Sequence, residues 1–474
     1  TKALAGDAIV VAPWATLLGY FTKPSEDQLG AVCALIGIVL DSGPSDEDRA
    51  NAGKAALAVF DAATTPSLIQ WLSPHILPYI ARTFDQDIPA SRERLRSVLQ
   101  GERFAAHGYI EVPWLARQVA DIAPYDPDLV VELYACVFRG HDFSRDQATS
   151  MGGGWILSLT SNAAQDFDLA SHSLAEVFPK ILATDPALGS KLVATVVRSE
   201  QEKGHPLPEQ EEARSLAIAG KEYPFTPDHS AIWAWDAEAD RHDDYSKVLR
   251  AYLKWVAKAG AKDVADAPAL ILSETGNGLA WRIVFALGAR RPKVLGEVLW
   301  DAATSETALR CCDTRRDAIK LIAAVAPTIG ADKLSAAEAR WLAFDFSHRS
   351  DPDEARKIEV GTILNAVGAA RLQTDEARAL LASAEADKLS LENRKPFHIG
   401  MWRGTDRHWL EHEGVDIKHP EVAKLIKLSE RVGKLSKRVG NANVKAGDRQ
   451  NGKLQQAAWN ATSNLWKALD QASA

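Results

Sequence analysis

The sequence predicts an all-α protein, an irregular α-solenoid or helical-repeat superhelix, on three observations. Apolar residues recur at helical spacing in segments of roughly 10 to 18 residues. Asp-Pro, Ser and Gly punctuation separates those segments. Sustained period-2 alternation is missing, and no Asn-Gly turn stands between β-branched runs, so strand signals are nearly absent. With 474 residues, 46% of them hydrophobic and 25% charged, the chain can bury a large core and is not of disordered composition.

Taken in order, Ile9 to Phe21 and Gln28 to Leu40 are apolar segments divided by Lys23-Pro24-Ser25-Glu26-Asp27, where Ser25 is placed to cap a helix. The run Ala31 to Leu40 is about half a bilayer span and reads as a buried helix. Ser42 to Asp46 is a loop ending in a second cap, and Ala50 to Ala63 is Ala-rich and helical by propensity. Thr65-Pro66 starts a helix through Leu77, with Pro74 and Pro78 expected to kink or divide it. Arg92 to Gln100 and Val112 to Ile122 are further amphipathic helices.

The stretch from Asp126 to Leu188 sets the rhythm of the array. Asp126-Pro127 opens a helix with Leu129, Val130, Leu133, Val137 and Phe138 on one face. Gly152-Gly153-Gly154 interrupts the stretch. Asp166 to Leu182 then predicts a helix with Leu169, Leu174, Val177, Phe178 and Ile181 turned inward, and Asp185-Pro186 starts the next. Glu200 to Glu222, with Pro206 and Pro208, is expected to be a loop leading into a polar helix. Tyr223 to Asp244 is rich in aromatics and acids, and the carboxylates of the Trp233 to Asp244 cluster suit a solvated face better than an acid/base pair. Helices follow at Tyr245 to Ala259, Ala269 to Leu287, Pro292 to Ala303, Thr314 to Ala326 and Ser335 to Phe346. The expected divisions are an N-terminal helical segment (1–122), a helical-repeat array (123–346), a helical segment with an aromatic and His-rich loop (347–417) and basic C-terminal helices (418–474).

Four cysteines, of which Cys33 and Cys136 are isolated and Cys311 and Cys312 adjacent, make neither a disulfide framework nor a C-x-x-C knuckle. A reducing, cytoplasmic setting is expected, with no transmembrane segment and no signal peptide. Thr at position 1 points to processing or to a longer polypeptide. The net charge of -8 argues against nucleic-acid binding by the whole molecule. Lys418 to Ala474, however, holds 11 Lys/Arg against 4 Asp/Glu, a local +7 that leaves -15 on the remainder.

No catalytic residue is assigned, no cofactor is expected, and the chain reads as a non-enzyme. Gly53-Lys54 lacks the other residues of a phosphate-cradling loop. Gly152 to Gly154 and Gly276-Asn277-Gly278 read as turns between helices. His408-Trp409-Leu410-Glu411-His412 fits the H-x-x-E-H pattern of an inverted zinc-peptidase motif, with His408 and His412 as weak metal candidates. The distant downstream Glu ligand of that family is missing. Phe397 to Trp409 concentrates aromatics and Arg; Trp402, Arg403, Arg407 and Trp409 make it a candidate partner-binding surface, with a packed loop as the alternative. In the tail, Val422 to Val439 carries an apolar stripe with Lys424, Lys427, Arg431, Lys434, Lys437 and Arg438 around it. Such a helix suits phosphates, an acidic partner, an anionic membrane surface or the chain's own acidic body.

The strings Ile156 to Asn162, Gln165 to Ala170 and Leu174 to Pro179, preceded by the Asp126-Pro127 helix, resemble the helical C-terminal sensor regions of large bacterial STAND NTPases, relatives of NLR immune receptors. In that family an effector and a P-loop NTPase precede the sensor, which recognises a target, often a phage protein, and licenses oligomerisation. The resemblance covers 124–187. It implies a scaffold that recognises a protein partner in prokaryotic antiviral defence, and it transfers ATP binding to no residue here. The other expectations are a nucleic-acid-associated helical protein using the basic tail and a zinc-dependent hydrolase.

Overall fold

The structure, a computed structural model, describes residues 12–143, 163–205, 207, 214–234, 243–394, 416–443 and 449–473. It is all-α apart from one short hairpin. The chain forms two compact units, Thr1–Phe397 and His398–Ala474.

The first unit opens with α1 (Ala12–Leu18), α2 (Glu26–Asp41), α3 (Asp46–Ala62), α4 (Pro66–Arg82), α5 (Ile88–Ser97), α6 (Gly101–Ala116) and α7 (Val119–Ile122). Ser25 and Ser45 start α2 and α3 in capping boxes with Gln28 and Asp48, satisfying amide donors that a helix start leaves open. Contrary to the sequence reading, Pro74 and Pro78 do not divide α4. Proline costs a helix about 3 kcal/mol, but Ile69, Leu72, Ile76, Leu77 and Ile80 are all buried along its inner face. Each contributes roughly 1.5–3 kcal/mol, so packing overrides propensity. Val112 likewise belongs to α6, which runs through Pro113, and not to a helix ending at Ile122.

Next come α8 (Pro127–Arg139), α9 (Ala163–Thr184) and α10 (Pro186–Gly204), packed on one another. Asp126 and Asp185 cap α8 and α10 by accepting from Leu129 N at 3.1 Å and Leu188 N at 2.9 Å. The following Pro supplies a helical φ and lacks the N–H that would otherwise be orphaned. Leu129, Val130, Leu133, Val137 and Phe138 are buried as expected. In α9 the inward set is Phe167, Ala170, Leu174, Phe178 and Ile181, whereas Leu169 is 50% exposed and Val177 only half-buried. Leu169 sits about 200° around the helix from Phe167, on the opposite face. Tyr134 fastens α8 to α9 by donating to Leu174 O at 2.9 Å.

The main departure from the sequence reading follows. In place of a polar helix, β1 (Arg214–Ile218) and β2 (Lys221–Phe225) form an antiparallel hairpin. Its turn, Ala219-Gly220, has positive φ at both residues (49° and 80°), the geometry that matches strand twist. Leu216, Ile218, Tyr223 and Phe225 are buried and the alternate residues face out. The unit continues through α11 (Ser230–Trp233), α12 (Asp244–Val256), α13 (Ala261–Ala265), α14 (Ala267–Glu274), α15 (Gly278–Arg290), α16 (Pro292–Ala303), α17 (Glu306–Arg310), α18 (Arg315–Val325), α19 (Ala331–Leu342), α20 (Pro352–Val367) and α21 (Asp375–Ala386). Helices pack against near neighbours in the chain, α15 on α18, α16 on α18, α18 on α20 and α20 on α21. One contiguous apolar core runs from Ala15 to Leu391.

The second unit is a pair of long helices, α22 (Pro420–Asn443) and α23 (Arg449–Ser473). Five residues, 444–448, join them. Such a connection reaches at most about 22 Å, well short of the about 36 Å length of α22, so these mutually packed helices run antiparallel. Ile426 and Ala461 are buried between them.

Buried carboxylates recur at the joints of the first unit. Asp126, fully buried, both caps α8 and takes the Arg92 guanidinium of α5. Asp126→Ala is expected to cost about 2–3 kcal/mol, read as a lowered denaturation midpoint of the full chain. Arg92→Ala, which leaves the cap intact, is expected to cost less.

Candidate functional site

The densest polar arrangement lies where the segment after β2 meets the α14–α15 and α17–α18 links. Thr226 N donates to Gly276 O at 2.9 Å, prolonging β2 alongside Asn277. A Cβ on Gly276 would stand 2.3 Å from Pro224 O, so only glycine fits there. His229 takes φ 56°, which turns successive amides toward one point. Asp313 occupies that point: Oδ2 accepts Asp228 N and His229 N, each at 3.0 Å, and Oδ1 accepts Ala231 N at 2.8 Å. Asp228 in turn accepts Ser230 N and Leu279 N, both at 2.9 Å. Arg282, nearly buried, donates to Ser230 O at 2.8 Å and pairs with Asp317 at 3.2 Å. Trp233 donates its indole N–H to Asp228 O at 2.7 Å and stacks on His205 with centroids 4.1 Å apart.

Chemically this is a clamp. Burial, and after it the neighbouring Asp313 charge, push the Asp228 carboxyl above its ordinary 3.8, the kind of shift found at catalytic sites. Yet both carboxylates spend their oxygens on backbone amides, of 228–231 and of Leu279, and the buried Cys311 thiol donates to Asp313 Oδ2 at 3.9 Å. Sequence reading missed the clamp, whose carboxylates lie outside the Trp233 to Asp244 acidic cluster. Its partners are up to 85 residues apart, and only Gly276-Asn277-Gly278 hinted at a close backbone approach.

The acids around Asp244 are also committed. Asp243 caps α12 through Ser246 N at 2.8 Å. Burial acts to raise Asp244, but hydrogen bonds from Lys247 and Ser171 outweigh it and hold the carboxyl below its ordinary value. Asp236, Glu238 and Asp240 lie outside the described residues. Burial pushes the Cys33 thiol up to about 11 and the Cys136 thiol up to about 12, which keeps both protonated at neutral pH.

Two kinds of open surface stand out among the described residues, clefts in the first unit and a charged face in the second. On α1 and α2, Trp14, Leu17, Phe21, Ala31, Leu35 and Ile38 line an apolar groove of about 400 Å³ whose only polar lining residue is Gln28. Trp14 is 47% exposed within it. A more polar cleft of about 530 Å³ lies near α5, α6 and α8, walled by the Arg96–Glu132 pair at 2.5 and 2.8 Å.

The second surface is on the α22–α23 hairpin. Lys424, Lys427, Arg431, Lys434, Lys437 and Arg438 are all exposed on α22, and none forms an ion pair with another described residue. Trp459 and Trp466 on α23 are 71% and 64% exposed.

The aromatic and His-rich stretch falls outside the described residues: Trp402, Arg403, Arg407, Trp409, His408 and His412, along with Gly152 to Gly154 and Ile156 to Asn162. Among the described residues no group of three or more His, Cys, Asp or Glu is arranged to hold a metal ion, and no helix is long and apolar enough to cross a membrane. Comparisons of the chain with family models, with curated proteins and with solved structures return no match.

Asp313→Ala is expected to strip one buried and two part-buried amides of their acceptor and destabilise the first unit by roughly 3 kcal/mol. Amide hydrogen exchange should accelerate at Asp228, His229 and Ala231 ahead of the surrounding helices. The pH dependence has a definite sign: folded Asp228 holds its proton above 3.8, so its ionised form subtracts from stability at neutral pH. Acidification through the folded value toward 3.8 restores that loss. Wild-type stability relative to Asp228→Asn should therefore rise as pH falls, as measured by denaturant titrations at a series of pH values.

Proposed function

We propose that the chain is a non-catalytic helical scaffold, an irregular α-solenoid in architecture, that recognises a protein partner through the α1–α2 groove. The observation that carries this reading is the groove itself. It is an almost wholly apolar trough about 400 Å³ in volume, with a half-exposed Trp at its edge, on a surface where isolated apolar residues are ordinary but a lined trough is not. Its dimensions and lining suit the apolar face of an amphipathic helix carrying bulky anchors at i, i+3 or i+4 and i+7. Two further features support the reading. The buried carboxylates with polar partners in the first unit are used to hold backbone and Arg groups, leaving the chemistry of the surface as its distinctive property. The near-neighbour packing of helices around one long core is also what a solenoid requires.

The resemblance of 124–187 to sensor regions of STAND NTPases gives the partner a context: a foreign or regulatory protein recognised in prokaryotic antiviral defence. Cytoplasmic placement belongs to the same proposal.

Selection of helical peptides against the full chain tests this. Selected peptides should photo-crosslink near Trp14 and Ile38. Leu17→Asp and Ile38→Asp, both at partly exposed positions, should weaken them at least 30-fold, about 2 kcal/mol, without lowering the thermal midpoint. Peptides that bind the two variants as well as wild type, or a selection that enriches no helix, would sink the groove as the recognition site.

A further inference from the structure

The cations of α22 are not scattered. Lys424, Lys427, Arg431, Lys434 and Arg438 follow i, i+3, i+7, i+10, i+14 spacing, which at 100° per residue gathers them into an arc of about 80°. Every residue between Lys424 and Arg438 that falls within that arc is Lys or Arg. No carboxylate, apolar side chain or amide interrupts it. Both acids of α22, Glu421 and Glu430, lie outside the arc, and so does Lys437, about 100° from its centre. All five side chains are exposed and unpaired among the described residues. Over 14 residues the row is about 21 Å long. Beside it runs an apolar seam in which Ile426 is buried and Leu425, Leu428, Val432 and Leu435 are half-buried, on a helix that packs against α23.

From this geometry we propose that α22 is a sequence-independent binding face for the phosphate backbone of duplex nucleic acid. Five like charges on one rigid line repel one another and are stabilised by an extended, repetitive polyanion. A length of 21 Å matches the phosphates of about six base pairs at 3.4 Å rise. A protein interface needs an apolar centre, and the row has none. An amphipathic helix that enters a membrane needs its apolar face free, and on α22 the apolar residues are buried or half-buried in a helix packed against α23. The row holds only Lys and Arg, with no Asn, Gln or Ser, so its recurring charge matches the phosphates that repeat whatever the base sequence. Protein recognition at α1–α2 neither requires this activity nor excludes it.

The test uses the full chain and a fluorescently labelled 24-base-pair duplex of mixed sequence, with affinity measured by anisotropy from 50 to 200 mM NaCl. Five phosphate contacts predict a slope of log K against log salt near about -4.5, roughly a 500-fold loss of affinity over that range. A second duplex of unrelated sequence should bind equally. Replacing Lys424, Lys427, Arg431, Lys434 and Arg438 together by Gln should abolish binding while circular dichroism retains the helix content, whereas Lys437→Gln should leave the slope within about one unit. Lys424→Arg, Lys427→Arg and Lys434→Arg combined should retain binding, separating charge from fold. A slope shallower than about -2, undiminished binding by the five-Gln chain, or binding to phosphatidylserine vesicles with none to duplex would overturn the proposal.

Discussion

The fold depends on one recurring interaction: a buried carboxylate that accepts backbone amides or an Arg at the joint between helices. Glu338, fully buried on α19, accepts Gln373 N and Thr374 N and the Thr374 hydroxyl, all at 2.8 Å, fixing the turn that starts α21. Glu111 on α6 takes Arg103 in two hydrogen bonds at 2.7 and 2.8 Å, and that guanidinium also covers the Phe60 ring at 3.8 Å. Asp126 and Asp313 do the same for α8 and for the segment after β2. A chain of short helices leaves many terminal N–H groups to satisfy. Unpaired and buried, each costs about 1–3 kcal/mol. Charged acceptors placed at the turns solve that problem and also set the angle at which one helix follows another.

That solution bears on function. A carboxylate surrounded by amide donors is structurally committed, and its charge is not available for proton transfer. Asp228 and Asp313 show how a perturbed acid can arise from architecture: the raised Asp228 carboxyl results from burial beside a second acid, and both serve to anchor 226–234. The polar groups of the interior hold shape, and among exposed faces the α1–α2 trough and the α22 cation row stand apart from ordinary surface.

Much of the fold was legible because it is local. The all-α class, the Asp-Pro starts at Asp126, Asp185 and Asp351, and the buried face of α8 each follow from residues within one or two turns of each other. What escaped depends on distant partners or on packing that overrides propensity. The β1–β2 hairpin has five-residue strands and an Ala-Gly turn in a charged context, too short for alternation to stand out. Unbroken α4 needs the buried neighbours of Pro74 and Pro78. The α1–α2 groove comes from two helices joined by a proline turn, each of which reads alone as a core segment. Lys424, Lys427, Arg431, Lys434, Lys437 and Arg438 were legible as a basic helix, but the absence of ion pairs among the described residues of their own unit was not.

The α22–α23 hairpin also shows why the cation row is a feature in its own right. Basic residues on a surface helix are normally interleaved with acids at i+3 or i+4, because such pairs add a few tenths of a kcal/mol each and relieve repulsion. Elsewhere the chain follows this habit, with Arg49–Asp46, Lys247–Asp244, Arg310–Glu306 and Arg378–Asp375 paired along their helices. In α22 Glu421 stands three residues before Lys424, and Glu430 three after Lys427 and four before Lys434, yet no such pair closes to ion-pair distance, and the positions that flank Arg431 along the row carry Lys427 and Lys434. The helix forgoes that stabilisation and relies on its apolar seam with α23 instead. A row of like charges with no closed ion pair is what the proposed contact with a phosphate backbone would neutralise.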